Sequence, residues 1–581
     1  MPKTRKLTII AQDPSVTDQG RIVICRVTIP YELVAPGPRG HRVHVVDYDA
    51  SQGVLYQPAE LGEEDRFADA SDDVRLEDPG FHAQNTYAIV TRILDRFQFA
   101  LGRRLAWGCG GHQIYVAPHA FADANAYYSE EDRAIFLGYF PGRNRKTKQE
   151  MTVHTCLSHD VVAHETTHAI LDGLRDYYTK PSGPDQAGFH EGYADVVALL
   201  SVFGLRNVLG SLLAGDEKDP RFIRKDRIGP DALRHSVLLG MAEQFGLQTS
   251  DFRDKALRRA VDAPPREDAR RLPAYEECHD RGMILSAAIL NAFVEVWRKR
   301  LEGWLPGEGD LVSRARVVED GAEAAEHLLT MIIRALDYCP VIHVAYEDFL
   351  AALITADREL LPDDGKYAYR DALRQEFHKW GIDAPAITGE NPDVGQIVEA
   401  GAWQRPLDER SLNYDWIHSE SLHRDPDEVF RFLWENRRQL KVYEGAYTSV
   451  VSVRPCMRIG PDGFSIRETV AEYLQMVDVK AEELKRLQIR KPTKMPDNTP
   501  VRLHGGGVLV FDEFCHLKYH VRTRLDSPEG QRDRLQFLWE NGVKDEEGGY
   551  GASDGVPRGR RFSLMHLRRS GRVRREERWD G

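Results

Sequence analysis

Residues 159–174 read HDVVAHETTHAILDGL, and the spacing of two histidines in this stretch decides how the rest of the chain is read. His164 and His168 stand four apart, slightly more than one helical turn. On a helix they therefore project from one face, with imidazoles able to converge on a single ion. Leu157, Val161, Val162, Ile170 and Leu171 make the segment a buried amphipathic helix with or without a metal. Two core histidines on such a helix need no ion. Glu165 between them is harder to explain without one, because a carboxylate among apolar side chains is costly unless a cation or another partner meets it.

A catalytic zinc takes three protein ligands and keeps a fourth position for water. The next helical stretch, FHEGYADVVALL, offers the third ligand in Glu191, 23 residues after His168 and beyond a loop marked by Pro181, Ser182, Gly183 and Pro184. Asp195 lies four residues further on the same face, where its carboxylate is placed to accept the ring N–H of a ligand histidine and fix its tautomer. The expected centre is one zinc per chain on His164, His168 and Glu191, with Glu165 as general base and Asp195 behind.

Upstream of this centre the chain reads as sheet. KLTII, RIVICRVTI and HRVHVVDYD within residues 1–60 are rich in β-branched residues and bounded by turn residues, and HQIYVAP and RAIFLGYF follow after the helical stretch FHAQNTYAIVTRILDRFQFAL. After Met151 the pattern turns helical: a zinc helix over 157–174, a third-ligand helix over 190–203, then GMILSAAILNAFVEVWRKRL and runs from Ala322 to Leu336 and Tyr346 to Leu361. The predicted class is α+β, a β-rich lobe followed by a helix-rich lobe. IDAPAITGENPD, from Ile382 to Asp393, reads as a linker. The expected domains are residues 1–40 as strands extending the first lobe, 41–385 as the catalytic domain, and 386–581 as a mixed α/β or β-rich domain of unknown role. Within the last, FLWEN occurs at 432–436 and again at 537–541, an echo too short to establish duplication.

Composition narrows the function classes. A 581-residue chain with 42% hydrophobic and 29% charged residues has enough interior for several cores, and no run approaches the ~18 apolar residues of a membrane span. A net charge of −13 disfavours nucleic acid as a partner, and the basic tail over 558–581 reads as a solvated end. The amino terminus lacks the apolar core of a secretory signal, and seven scattered cysteines without a C-x-x-C pair fit a reducing compartment, so a cytoplasmic location is expected, with release by a specialised route left open.

HExxH followed by ExxxD at this distance resembles the thermolysin-like zinc metallopeptidases, the gluzincins, and DVVAHETTHAILD carries the resemblance most strongly. It extends from about Arg42 to Ile382. ADANAYYSEEDRAIFLGY is similar to the family's edge strand, which implies that Asn125 and Ala126 bind the substrate backbone. ALRRAVDAP and CHDRGMILSAAILNAF are similar to the segments carrying a substrate-binding arginine and a transition-state histidine, implying Arg258 and His279. The family's oxyanion tyrosine falls in a loop that does not align, leaving Tyr178, with Tyr177 as alternate. Val161 and Leu257 match positions lining the pocket for the residue after the scissile bond, which implies a preference there for a bulky hydrophobic side chain. Two departures stand out: His190 occupies the place of the family's Asn before the glutamate ligand, and the acidic cluster that binds paired calcium ions is mostly missing, so calcium is not expected. The resemblance implies a two-lobed fold and a zinc endopeptidase acting on protein or peptide substrates. The competing readings are a catalytically idle scaffold whose carboxy-terminal domain recognises an unknown partner, and a zinc hydrolase of a non-peptide or exopeptidase substrate; no G-x-M-E-N signature favours the last.

Overall fold

A computed structural model of the chain describes residues 3–108, 110–143, 150–180, 182–213, 215, 219–234, 260–261, 263–303, 310–361, 363–365, 367–384, 402–403, 412–460, 463 and 465–542. It is a mixed α+β structure with several small sheets. Two amino-terminal strands, β1 (Thr4–Ile10) and β2 (Ile24–Pro30), pair antiparallel as a sheet of their own. The strict alternation of buried and outward residues along β2 shows one face turned to the core. That face lies on helix α1 (Pro79–Leu101), where Asn85 Oδ1 accepts the Ile10 N–H at 2.9 Å and Gln84 donates to the Thr8 carbonyl at 3.1 Å.

Helix α1 begins and ends as its sequence directs. The Asp78 side chain accepts the Gly80 N–H, Pro79 takes the first turn, and Gly102 closes the helix in the left-handed region at φ +67°. Behind it stands a five-stranded mixed sheet built from β3 (Val43–Val45), β4 (Ile114–Phe121), β5 (Ala126–Ser129), β6 (Ala134–Arg143) and β7 (Glu150–His154). The order is β7-β6-β4-β3, with β5 also paired to β6; β3 and β6 run parallel to β4, whereas β5 and β7 run antiparallel to β6. Among the described strands β5 pairs with β6 alone and so forms an edge.

The helical part follows: α2 (His159–Leu174), α3 (Pro184–Phe203), α4 (Cys278–Glu302), α5 (Arg314–Ala335), α6 (Tyr346–Leu360) and α7 (Tyr369–His378). Among the described residues no helix is long and apolar enough to cross a membrane. Past the linker, most of which lies outside the described residues together with the basic tail, four strands form an antiparallel meander: β8 (Tyr447–Ile459), β9 (Ser465–Lys480), β10 (Pro500–Phe511) and β11 (Leu517–Thr523). Helices α8 (Pro426–Glu435) and α9 (Pro528–Glu540) contribute to two small flanking cores. These helices contain the two FLWEN copies.

One hydrophobic core runs from β1 and β2 through all the long helices and into this last sheet, where Val470, Leu474, Val508, Val510, Tyr519 and Val521 join it. Buried charges reinforce the seam. Arg103 meets Asp337 at 2.7 Å, Arg458 bridges Asp337 and Glu468, and Lys518 reaches Glu359 at 2.6 Å. The change in sequence character at Ile382–Asp393 is therefore not accompanied by a break in the core.

Candidate active site and metal centre

Helix α2 is held at both ends by distant segments. At its start the His159 N–H donates to the Gln12 carbonyl at 2.7 Å, Ser158 Oγ donates to Asp13 at 3.1 Å, and Asn85 donates to the Cys156 carbonyl just upstream at 2.8 Å. At its end Arg175 is buried, donating to the Leu336 carbonyl and pairing with Glu472 of β9. The third-ligand helix α3 packs on α2, and α4 packs on α3. The contact between α3 and α4 depends on missing side chains. A Cβ on Gly192 would collide with the Gly282 carbonyl oxygen, and a Cβ on Gly282 would lie 2.8 Å from the Gly192 nitrogen. The two backbones therefore touch, which only glycine permits. This contact lies one residue from Glu191 and three from His279.

The predicted ligands converge. Donor atoms of His164, His168 and Glu191 all lie within 4.8 Å of one another. The two Nε2 atoms are 2.9 Å apart, and each is 3.6 Å from an oxygen of Glu191. All three residues are buried. The outer ring atoms set the tautomers. His164 Nδ1 is 2.9 Å from Asp195, a carboxylate that only accepts when ionised, so the ring proton belongs on Nδ1. His168 Nδ1 is 2.7 Å from His190 Nδ1, and a neutral His168 donating there also leaves its Nε2 bare. Two bare nitrogens facing each other at 2.9 Å repel unless a positive charge lies between them, and two imidazoles with one carboxylate form a donor set that zinc accepts. The residues fit the ion. Burial disfavours charge on His164, yet its contacts with the carboxylates of Asp195 and Glu191 hold that imidazole well above its ordinary value.

Glu165 is buried beside this set, and its Oε2 accepts the Tyr128 N–H of edge strand β5 at 2.9 Å. Burial pushes its carboxyl up to about 8, opposed by His164 and the Tyr128 N–H and assisted by Glu191 and Asp195. The hydrogen bond brings the carboxylate against the outer side of β5, the strand that begins at Ala126. Asn125 and Ala126 are both buried at its start, and the Asn125 carbonyl accepts the Gly138 N–H at 2.9 Å.

His279 is brought to the same centre. Its Nε2 lies 3.2 Å from Glu191 Oε2 while Nδ1 lies 2.7 Å from Glu277. Only the Nδ1 contact with Glu277 has hydrogen-bond geometry, so Glu277 orients the ring and leaves Nε2 directed at the centre. Glu277 also caps α4, accepting the N–H groups of His279 and Asp280. Its position two residues before His279, at the head of an apolar helix, was the signal by which sequence reasoning could have found it. His190 was noticed only as a departure, and the structure gives it a partner in His168. Tyr178 departs from expectation: it is fully buried, its hydroxyl donates to the Pro340 carbonyl at 2.6 Å, and its ring packs on Phe189. A phenol held in the core by a backbone carbonyl is not presented to a substrate. The alternate, Tyr177, is half-buried with Lys180 over its ring. Val161 is half-buried on α2, whereas Leu257 and Arg258 lie outside the described residues.

Compared with protein-family models and with curated proteins, the chain matches none.

Proposed function

We propose that the chain is a zinc-dependent endopeptidase of thermolysin-like, two-lobed fold. The observation that carries this reading is the placement of Glu165 between three converging zinc donors and the edge strand beginning at Ala126. A base beside a metal could serve many hydrolyses; a base that touches an edge strand of the sheet favours an extended peptide lying along that strand. Strand β5 and helix α3 both pack on α2, which supports a two-lobed arrangement with the site between sheet and helices.

A zinc ion held by His164, His168 and Glu191 supplies Lewis acidity, activating water and polarising a carbonyl. Glu165 takes a proton from the attacking water and returns it to the leaving amine. His279, oriented through Nδ1 by Glu277, directs its Nε2 at the oxyanion, a role whose removal costs ~3 kcal/mol in comparable sites. Asn125 and Ala126 align the substrate backbone, and Val161 lines an apolar pocket for the residue after the scissile bond. One such pocket discriminates by only about 1–3 kcal/mol.

The test is cleavage of casein and quenched peptides by the wild-type chain and by Glu165→Gln, with zinc counted in both. The expected result is one equivalent at this centre in each, with cleavage by the variant reduced by about 100-fold or more. Full activity in Glu165→Gln would remove Glu165 as the base. A zinc-loaded wild type inert toward every peptide would leave the scaffold reading.

A further inference from the structure

A second group of metal-ligating side chains lies in the sheet lobe and takes no part in the chemistry above. His82 of α1, His119 of β4, His154 at the end of β7 and Cys156 in the turn leading to α2 have ligand atoms all within 4.8 Å of one another. The three rings meet pairwise with centroids 4.8–5.1 Å apart. Cys156 is fully buried and forms no disulfide among the described residues.

The hydrogen bonds around the cluster leave bare nitrogens pointing inward. His82 Nε2 is 2.9 Å from the Leu76 carbonyl, which can only accept, so the ring proton lies on Nε2 and Nδ1 is bare. His119 Nδ1 is 2.8 Å from Asp47, so in the neutral ring the proton lies there and Nε2 is bare. Those two bare atoms face each other at 2.7 Å, a repulsive contact for two neutral rings. His154 Nδ1 is buried with no hydrogen-bond partner among the described residues. Two oriented imidazoles, one of them backed by a carboxylate, and a nearby thiol form a donor set suited to a borderline-soft cation.

We propose that His82, His119, His154 and Cys156 bind a second zinc ion, a closed structural site with Asp47 as its outer carboxylate. Four protein donors fill a tetrahedral shell and leave no position for substrate or water. On binding, the Cys156 thiol loses its proton to solvent and the sulfur donates the freed pair to zinc. Thiolate and Asp47 then balance the charge of the ion, so a buried site carries no net charge. The site would tie α1, β4 and the end of β7 to the residue two positions before Ser158, the N-cap of the catalytic helix. It would hold α2 in place without touching the catalytic ion, and it does not depend on the endopeptidase reading.

Metal content and cobalt substitution test it. The reduced full-length chain, stripped by chelator and reloaded with zinc, should bind two equivalents, and His164→Ala/His168→Ala should keep one. Loaded with cobalt(II), that double variant should show a thiolate-to-cobalt charge-transfer band in the near ultraviolet, because the HExxH centre contains no sulfur. The band should vanish in Cys156→Ser and persist in Cys278→Ser, which controls for the thiol beside His279. A His164→Ala/His168→Ala chain that binds no metal overturns the proposal, as does a band that survives Cys156→Ser. If Cys156→Ser does not fold, the cobalt-loaded triple variant with Cys278→Ser decides: a band supports the site and its absence overturns it.

Discussion

Asp195 and His190 meet the Nδ1 atoms of different histidines. Asp195 holds the ring proton of His164 on Nδ1 and His190 orients the ring of His168, so that both Nε2 atoms face the proposed zinc position. Removal of either leaves all three ligands in place but frees a ring to rotate or to protonate on the metal side. We therefore expect Asp195→Ala and His190→Ala each to weaken zinc affinity by about 10- to 100-fold, measured by competition with a chromophoric chelator. Unchanged affinity in both would show that the rings are oriented by packing alone. Asp195 was legible in the sequence because it falls one helical turn after Glu191. His190 was not assigned a partner, since it meets His168 from another helix and no spacing along the chain encodes that meeting.

Among the elements, the touching backbones of α3 and α4 place Glu191 next to His279. Helices with ordinary side chains at the contact pack 8–10 Å apart; Gly192 and Gly282 allow a closer approach. Gly192→Ala is expected to wedge the pair, costing about 1–3 kcal/mol of stability and lowering kcat/KM more than it lowers zinc content, because the added carbon displaces the helix carrying His279. Urea unfolding and peptide kinetics measure the two effects; a variant matching wild type in both would mean the helices adjust without moving the site. The FLWEN echo also resolves at this scale. Both copies close helices that begin with proline, and in each the terminal Asn436 or Asn541 side chain donates to the phenylalanine carbonyl of its own motif at 2.9 Å. The shared residues thus make the same helix end twice, which is a local likeness.

At the scale of the whole molecule, the carboxy-terminal sheet supports helix α2. Arg175 follows the last residue of α2 and pairs with Glu472 in the interior, where Arg454 also approaches the same carboxylate at 3.3 Å. Breaking such a pair from one side strands a buried charge and costs about 3–5 kcal/mol. Glu472→Gln is expected to lose stability of that order in denaturant unfolding. It should also release the end of α2, lowering zinc affinity at the HExxH centre; a drop in stability with zinc affinity intact would show the sheet to be a brace without influence on the site. Gly102 makes a second seam: its Cβ would collide with the Met457 carbonyl of β8, and its own carbonyl accepts the Met457 N–H at 2.9 Å. The sequence alone determined what repeats within a helical turn or an alternating strand: the main strands and helices, the His164–Glu165–His168 face, and Asp195 one turn beyond Glu191. Only the tertiary structure decided which distant segments meet. It joined His82, His119, His154 and Cys156 in one cluster, drew the carboxy-terminal sheet into the common core, and took Tyr178 away from the site. Periodicity reports which way a residue faces on its own element, whereas these contacts depend on where a second element packs, and that is set by the shapes and charges of both.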